Sequence, residues 1–444
     1  MKLRADGYLS WVMPIMLALA AVDVLLSGRD LSMAFAQLAG LMDFARHPAM
    51  PWIQRAVSIV LLLICAERIA NHFAQRQPMP SVALAWAYVI YWLGTVAAPS
   101  LLGAHRQISH EYSYALLIGF AALLVTTQEI GPIIDRARDA LFVLMLASLV
   151  LVPAWPSLVL DESYTQGLMP GVPRLGGLAP HPVALGMLAQ TALLLLWARP
   201  YQRKWFNVIA WAVGLGVLFF AQSKTSWIAF LLCSITMLAV RRGPSAWRRM
   251  GDPREGHFGI LVCGIAILAI MAVCGLAVFS DVLGDASGFL DSDQGAQLMT
   301  MTGRDQIWAV AFEEWHAHPW FGYGPGLFDD EFRLAVGMPQ ATSGHNQFID
   351  TLARSGAIGA AALVIYAAVL LVLSIRHTRR TGGLSAALFI ALALRSVSEV
   401  PLMLFGYGIE FFVHLLLVVT IAAAASLTVA QPTARMRPAY GVPA

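Results

Sequence analysis

Apolar residues run along this chain in stretches of about membrane length, separated by short polar turns. A helix that crosses a bilayer needs about 20 largely apolar residues. The stretches that qualify are Leu9–Ser27, Trp52–Ala70, Ala83–Leu102, Tyr112–Gln128, Ala140–Trp155, Val183–Trp197, Trp205–Ala221, Ser226–Val240, Phe258–Phe279, Ala357–Ile375, Leu384–Leu402 and Ile409–Leu427. The pattern predicts an all-α integral membrane protein with about 12 transmembrane helices.

Two segments near the N-terminus need a separate interpretation. The first apolar stretch follows Lys2 and Arg4 and so resembles a signal peptide. Because many more apolar stretches follow, we interpret it as a retained first helix. The segment Leu31–Ala45 is short for a span, and we expect an interfacial helix there.

Composition supports a membrane protein and excludes several other classes. Of the 444 residues, 58% are hydrophobic and 12% charged, against about 25% charged in globular domains. The net charge is +3, and the cations lie between apolar stretches rather than along one face, so nucleic acid is not an expected partner. The cysteines all lie inside apolar stretches, which favours small core side chains over disulfides or a metal site. They are Cys65, Cys233, Cys263 and Cys274.

The placement of Lys and Arg predicts the orientation, because short cytoplasmic loops are enriched in these residues. With a cytoplasmic N-terminus, most cations fall on the inner side. These are Arg76, Arg136, Arg199, Arg203, Lys204, Arg241, Arg242, Arg248, Arg249, Arg254, Arg376, Arg379, Arg380, Arg435 and Arg437. We therefore expect about nine helices in residues 1–279, a long outer loop over residues 280–356, and three helices with a cytoplasmic tail in residues 357–444.

The long outer loop is expected to contain short amphipathic helices that lie on the membrane. Thr302–Asp305 has the spacing of a capping box that opens a helix. Aromatic residues then recur on one helical face, at Trp308, Phe312 and Trp315. His318-Pro319 should end this helix. A glycine-rich turn follows over residues 322–326, and a second helix is expected from His345, capped by Ser343 or Gly344, to Gly356.

Cations on the outer side are candidates for binding an anion, because a charge beside apolar helices is costly without a partner. They are Arg174, Lys224, Arg304, Arg333 and Arg354. Guanidinium groups bind phosphate through two parallel hydrogen bonds, and an ammonium group binds it as a point charge. Together they would suit a lipid pyrophosphate, whereas any one alone could contact a lipid headgroup.

Other titratable residues allow both a chemical and a structural interpretation. His345 is the best candidate general base, because its ordinary pKa lies near neutrality, although one histidine at a helix start is often structural. The acidic run Asp329–Glu331 is expected to be a solvated turn rather than a metal site. Arg395 and Glu399 are four residues apart inside an apolar stretch, so we expect them to form a structural ion pair.

Several of these motifs, in this order, resemble the O-antigen ligase and polymerase superfamily. The resemblance covers nearly the whole chain, and no single motif carries it. The segments are Arg174–Gly177 with Pro182, the turn Ser223–Thr225, Thr302–Trp308, His318–Gly324, Gly344–Phe348 and Ser355–Gly359. This family implies a periplasmic active site in the bacterial inner membrane.

The resemblance implies a membrane glycosyltransferase that moves a glycan from undecaprenyl pyrophosphate to an acceptor hydroxyl. It implies no cofactor and no metal, and it implies inversion at the anomeric carbon. His345 would be the base, Arg304 and Arg174 would hold the pyrophosphate, and Tyr323 and Asn346 would help to bind the substrate. Lys224 stands where relatives often have arginine, so it keeps the positive charge but cannot make the two parallel hydrogen bonds of a guanidinium group.

The resemblance leaves the reaction open between two alternatives. A polymerase joins lipid-linked repeat units, as in exopolysaccharide synthesis, and the form Thr302–Trp308 favours it. A ligase passes finished polysaccharide to an acceptor such as lipid A core, in lipopolysaccharide biosynthesis. The expected partners are the lipid-linked donor, a glycan or lipid acceptor and the bilayer. A chain-length regulator and a flippase are further candidate partners. A transporter of an anionic solute is a more distant alternative, which would depend on Arg395 and Glu399.

Overall fold

A computed structural model describes residues 7–31, 47–162, 171–250, 304–338 and 341–429. Helices dominate these ranges, and the described helices before the long loop are α1 (Val12–Leu26), α2 (Met50–Ala74), α3 (Val82–Trp92), α4 (Tyr112–Leu123), α5 (Ile130–Ala154), α6 (Pro182–Ala198), α7 (Lys204–Phe220) and α8 (Lys224–Met250). The later ones are α9 (Arg304–Ala317), α10 (Asp330–Ala335), α11 (Gln347–His377), α12 (Leu384–Ser398) and α13 (Ile409–Val429).

Shorter elements complete the described architecture. Helix α3 continues through a π-helical turn over Leu93–Ala97 into Ala98–Leu102, and single helical turns occur at Leu9–Trp11 and Pro156–Val159. The strands β1 (Leu160–Asp161) and β2 (Arg174–Leu175) pair antiparallel, with Asp161 opposite Arg174. The regular structure of the described residues is therefore helical apart from this two-residue ladder, which the apolar pattern did not predict.

Several described helices are long and apolar enough to cross a membrane. Six meet this criterion by length and composition, and they include the first helix at Leu9–Leu26 and the segment Ile409–Leu427 of α13. Helices α4, α6, α7 and α12 are apolar but shorter. Each predicted span in the described ranges coincides with a helix, and the total of about 12 spans stays a prediction.

Some predicted features lie outside the described residues. They are the span Phe258–Phe279, the interfacial helix Leu31–Ala45 beyond its first residue, the segment 280–303 with Thr302 and Gly303, Cys263 and Cys274, and the cations of the C-terminal tail. The other two cysteines, Cys65 and Cys233, are free and buried, as expected for core side chains.

Helix α13 forms the centre of the bundle. About 89% of its apolar segment is buried, and it contacts α1, α4, α5, α6, α11 and α12. The outer helices instead expose large apolar side chains such as Trp86, Val150 and Val372. In water such a surface would be unfavourable, whereas lipid chains can cover it.

Small residues let α11 pack closely against α3. A Cβ atom at Gly94 would lie 2.5 Å from the Cβ of Ala362, and one at Gly359 would lie 3.2 Å from the carbonyl oxygen of Gly94. The Ser355 hydroxyl donates to the Thr95 carbonyl at 3.0 Å. Helices in membranes associate through such small residues, because close approach maximises van der Waals contact. This contact places the start of α11, and with it the residues that precede it.

Helix α11 is broken at Gly356, where the backbone has φ 64° and ψ −165°. Only glycine adopts this conformation readily, because a Cβ atom there would clash with the backbone. The Cβ would lie 2.3 Å from the carbonyl carbon of Trp320. The prediction that the helix after His345 ends at Gly356 is therefore confirmed, although a second helical segment follows directly.

The described part of the long loop packs around a small apolar core of its own. Its buried side chains are Ile307, Ala311, Leu327, Phe328, Phe332, Ala341 and Ala353. Helix α9 ends at Ala317, before His318-Pro319, as predicted. Its buried face carries Ile307 and Ala311, while Phe312 of the aromatic stripe is exposed. The described part of the loop thus packs on α11, and its position relative to the membrane stays a prediction.

Candidate active site

The turn before α11 places His345 and holds it on several sides. The indole Nε1 of Trp308 donates to the Gly344 carbonyl at 2.8 Å, and the Gly344 amide donates to Asp350 Oδ1 at 3.0 Å. His345 itself has φ 45°. This left-handed conformation is uncommon for a residue with a Cβ, and it occurs often at functional sites.

Asn346, rather than Ser343 or Gly344, caps the helix, which begins at Gln347 and not at His345. The Asn346 side-chain oxygen accepts from the Phe348 and Ile349 amides at 3.0 and 3.1 Å, which satisfies two amides that have no partner inside the helix. Its amide nitrogen donates to the Val397 carbonyl at 3.3 Å. The expected cap was wrong because backbone geometry, not residue preference, decides among neighbouring polar residues.

His345 contacts a carboxylate that comes from a different helix. Its Nδ1 lies 3.4 Å from Oε2 of Glu399, which follows the last residue of α12, and each side chain is 24% exposed. A carboxylate at Nδ1 favours the tautomer that leaves Nε2 as the acceptor, and it stabilises the imidazolium ion. This pair can therefore take a proton from a hydroxyl group placed at Nε2.

Positively charged groups surround Glu399. Besides its contact with His345, its carboxylate interacts electrostatically with Arg395 and Arg304. Among the described residues, Arg395 makes no ion pair with Glu399 within 4.0 Å; its Nη1 is 3.5 Å from the Val183 carbonyl. The prediction of an ion pair between Arg395 and Glu399 is therefore wrong, and Glu399 contacts His345 instead.

Arg174 lies in the same region, on strand β2. It is buried, and its Nε donates to the Ala221 carbonyl at 2.8 Å, which ties this strand to the turn before α8. Nearby His181 caps α6, because its Nδ1 accepts from the Val183 amide at 3.1 Å. Burial, followed by the charge of Arg174, lowers the pKa of His181 to about 4, and Glu399, Asp161 and Arg395 also act on it. These charges therefore share one region.

Arg304 and Lys224 are the first residues of α9 and α8. In the described part of the chain, neither side chain makes a hydrogen bond or an ion pair, although Arg304 interacts electrostatically with Glu399. A cation at a helix N-terminus is unfavourable, because the helix dipole is positive there. An anion bound at such an end would be favoured by both the side chain and the backbone amides. Lys224 is exposed and stands three residues after Ala221, the partner of Arg174.

Tyr323 lies elsewhere in the loop. Its ring stacks on His105 at 4.1 Å between centroids and meets Phe332 edge-on at 5.0 Å. Burial, followed by the charge of Asp329, raises its pKa. No contact joins Tyr323 to His345 within the described ranges, so its substrate-binding role stays a prediction.

The remaining outer cations have structural partners. Arg354 is buried and makes an ion pair with Asp350 at 3.2 Å, and its Nη1 donates to the Pro325 and Leu327 carbonyls at 2.6 Å. It therefore fastens the glycine-rich turn to α11. Arg333 makes an ion pair with Asp330 on α10. The acidic run is exposed, as expected, but it opens α10 rather than forming a turn, because Asp329 caps this helix and Asp330 and Glu331 are its first residues. Over the described ranges, no cluster of three or more His, Cys, Asp or Glu residues could hold a metal ion.

The chain's relationship to known families agrees with this geometry. Residues 208–364, which include Lys224, Arg304 and His345, match the family described as O-antigen ligase. Over this segment, the chain is similar to O-antigen ligases. The match supports the predicted membership of the ligase and polymerase superfamily, and with the apolar helices it identifies a multi-pass membrane protein of glycosyl-transferring type. No curated protein matches the chain.

The family match does not reach every residue of the site. Arg174 and His181 precede residue 208, and Arg395 and Glu399 follow residue 364. Sequence reasoning singled out Arg174 but took Glu399 and Arg395 for a structural pair, and it did not consider His181. The sequence signal that could have identified these residues is a titratable side chain at the end of an apolar stretch, on the membrane side predicted for His345.

Proposed function

We propose that this O-antigen ligase family protein transfers a glycan from polyprenyl pyrophosphate to an acceptor hydroxyl, with no metal ion in the reaction. The observation that carries the proposal is the pairing of His345 with Glu399 beside guanidinium groups that an anion could meet. A base next to an anion-binding region is what this transfer requires. The active site would face the periplasm, with both termini in the cytoplasm.

In this reaction the acceptor hydroxyl gives its proton to Nε2 of His345 as its oxygen attacks the anomeric carbon. The bond from that carbon to the pyrophosphate oxygen breaks, and polyprenyl pyrophosphate leaves with the electron pair. Attack opposite the leaving group inverts the anomeric centre. Glu399 stabilises the imidazolium that forms, because the opposite charge lies next to it.

The leaving group needs positive charge more than it needs a proton. Arg304 has no described hydrogen-bond or ion-pair partner, and Arg174 donates a hydrogen bond to the Ala221 carbonyl. Groups fixed in advance stabilise developing charge without reorganising, and this contributes strongly to catalysis. Lys224 would add a point charge at the N-terminus of α8, and Asn346 would act by holding the turn that carries His345.

The polymerase reaction is the version we favour, from the form of the motif Thr302–Trp308. The ligase reaction uses the same bond changes and differs only in its acceptor. The transporter alternative needs another test than substitution of Glu399, because Glu399 contacts His345 and would matter in either case. Product analysis separates all three.

The test is complementation of a deletion strain with the wild type, His345→Ala or Arg304→Ala, with analysis of lipid-linked intermediates. Matched controls are His316→Ala in the same loop and Arg106→Ala on the same side, both exposed. Accumulation of single lipid-linked repeat units in the two test variants supports a polymerase, and accumulation of long lipid-linked chains supports a ligase. Full complementation by both variants, at normal protein levels, would refute the catalytic proposal.

A further inference from the structure

A cavity with an acidic lining opens among the helices of the bundle. It has a volume of about 260 Å³ and lies among α1, α2, the start of α4 and the segment before α13. Its polar lining consists of Asp23, Gln54, Glu111, Tyr114, Tyr407 and Glu410. Neither lysine nor arginine is among the described residues that line it.

Two neighbouring groups relate the lining of the cavity to the charges around Glu399. Pro180 lines it and directly precedes His181, whose surroundings include Arg174 and Glu399. On the other side, Glu410 interacts electrostatically with Arg395, as Glu399 does. A subsite in this cavity would therefore hold a part of the substrate near the part that reacts at His345.

Tyr114 gives the cavity an open hydrogen-bonding group. The residue is only 7% exposed, yet its hydroxyl makes no hydrogen bond to any described residue. Its neighbour Tyr407 differs, because the Tyr407 hydroxyl is 2.6 Å from that of Ser58. The hydroxyl of Tyr114 is therefore available to a ligand's polar group.

The chemistry of the lining selects the class of ligand. Carboxylates accept hydrogen bonds from hydroxyl groups, and an amide side chain both accepts and donates them. Hydrogen bonds to a charged oxygen are stronger than those to a neutral one. The rings of Tyr114 and Tyr407, 5.5 Å apart between centroids, add flat apolar surface. Three carboxylates would repel phosphate or an acidic sugar. The pyrophosphate therefore belongs at the arginines and not here.

From this combination we infer that the cavity is a glycan subsite for an uncharged or amino sugar of the transferred or accepting chain. The inference rests on the proposed function for the nature of its occupant. The volume allows a single sugar ring rather than a long stretch of polymer, and it falls just below the usual range for small-molecule sites of about 300–1,000 Å³. The pyrophosphate cluster and this cavity would hold the two chemically different parts of the substrates.

The binding experiment uses the oligosaccharide released by mild acid from the lipid-linked pool of the deletion strain. Its binding to the purified full chain in detergent is measured by saturation-transfer NMR. Tyr114→Phe and Glu410→Gln should each weaken binding roughly fivefold to tenfold, the effect of losing one hydrogen bond. Tyr8→Phe and Glu67→Gln, on exposed residues away from the cavity, are the matched controls and should bind as the wild type does.

Two results would overturn the inference: no binding to the wild type, or equal binding to all variants. Glucosamine should displace the oligosaccharide better than glucuronate, and the reverse order would contradict the charge argument. Binding to the wild type and complementation by His345→Ala together separate the two proposals. If the wild type binds the oligosaccharide but His345→Ala complements the deletion strain fully, the proposed function fails while the sugar site stands. If His345→Ala fails to complement but nothing binds, the proposed function stands and the subsite falls.

A turnover assay identifies which glycan occupies the cavity. The extracted lipid-linked oligosaccharide is the donor, and the free oligosaccharide is added in excess. Elongation of the free oligosaccharide shows that the cavity holds the acceptor, and inhibition without elongation shows that it holds the donor glycan. A free oligosaccharide that is neither elongated nor inhibitory would overturn the inference.

Discussion

Replacing Glu399 by Gln tests whether this carboxylate acts through His345. Gln keeps the size and a polar oxygen but removes the charge that stabilises the imidazolium. A hydrogen bond to a charged group contributes about 1.5–3 kcal/mol. The distance of 3.4 Å and the 24% exposure of both side chains favour the lower end, because solvent screens the pair. Since about 1.4 kcal/mol corresponds to a factor of ten, we expect turnover to fall roughly tenfold.

The assay is turnover of extracted lipid-linked oligosaccharide by the purified protein, with products separated by size. His345→Ala should lose more, about 100-fold to 10,000-fold, as expected for loss of a general base. The decisive measurement is the double variant His345→Ala/Glu399→Gln. It should be no slower than His345→Ala alone, because residues that act as one unit are not additive.

Two outcomes would refute this reasoning about Glu399. One is unchanged turnover in Glu399→Gln, and the other is a tenfold further loss on adding it to His345→Ala. The matched control is Glu67→Gln, which changes an exposed glutamate on α2 that is bonded to Asn71. Equal losses in both glutamate variants would indicate a general effect of charge rather than the contact with His345.

Other parts of the structure support further predictions. Arg354→Ala should destabilise the fold by about 3–5 kcal/mol, because it leaves the buried Asp350 carboxylate without its partner; thermal unfolding measures this, with exposed Arg379→Ala as the control, and equal melting temperatures would contradict it. Gly356→Ala should prevent normal folding because its Cβ meets backbone at 2.3 Å, whereas Gly216→Ala, with open space around it, should be tolerated; normal expression and melting of Gly356→Ala would show that the break in α11 is not required. Stability should fall as the pH drops from about 6.5 to 4, because the unfolded chain binds a proton that His181, with its pKa of about 4, does not. More than a third of His181 is exposed, so this effect is expected to be small, and in His181→Asn it should disappear; an unchanged pH profile in that variant would assign the effect to another group.

The helical fold could largely be predicted because its cause is local. An apolar stretch of sufficient length is helical in a bilayer whatever its neighbours are, since the backbone must satisfy its own hydrogen bonds there. For this reason the stretches at Leu9–Ser27 and Ile409–Leu427 both coincide with helices. The end of α9 before His318-Pro319 and the break at Gly356 also follow from single residues with restricted or unusual backbone preferences.

Tertiary packing, in contrast, decided which side chains contact each other and how deeply each is buried. His345 and Glu399 are 54 residues apart, and nothing in the local sequence of either indicates that α11 and α12 bring them together. The spacing of Arg395 and Glu399 predicted a pair within one helix, but α12 ends at Ser398 and releases Glu399 toward another partner.

The sequence alone determined the protein's class, its apolar helices and the residue types available for chemistry. Only the tertiary structure decided that Arg354 is a buried fastening for the glycine-rich turn while Arg304 keeps no described partner. Both are arginines of the predicted outer loop. Their difference arises because the free energy of a charge depends on its surroundings in space, which packing between distant segments creates.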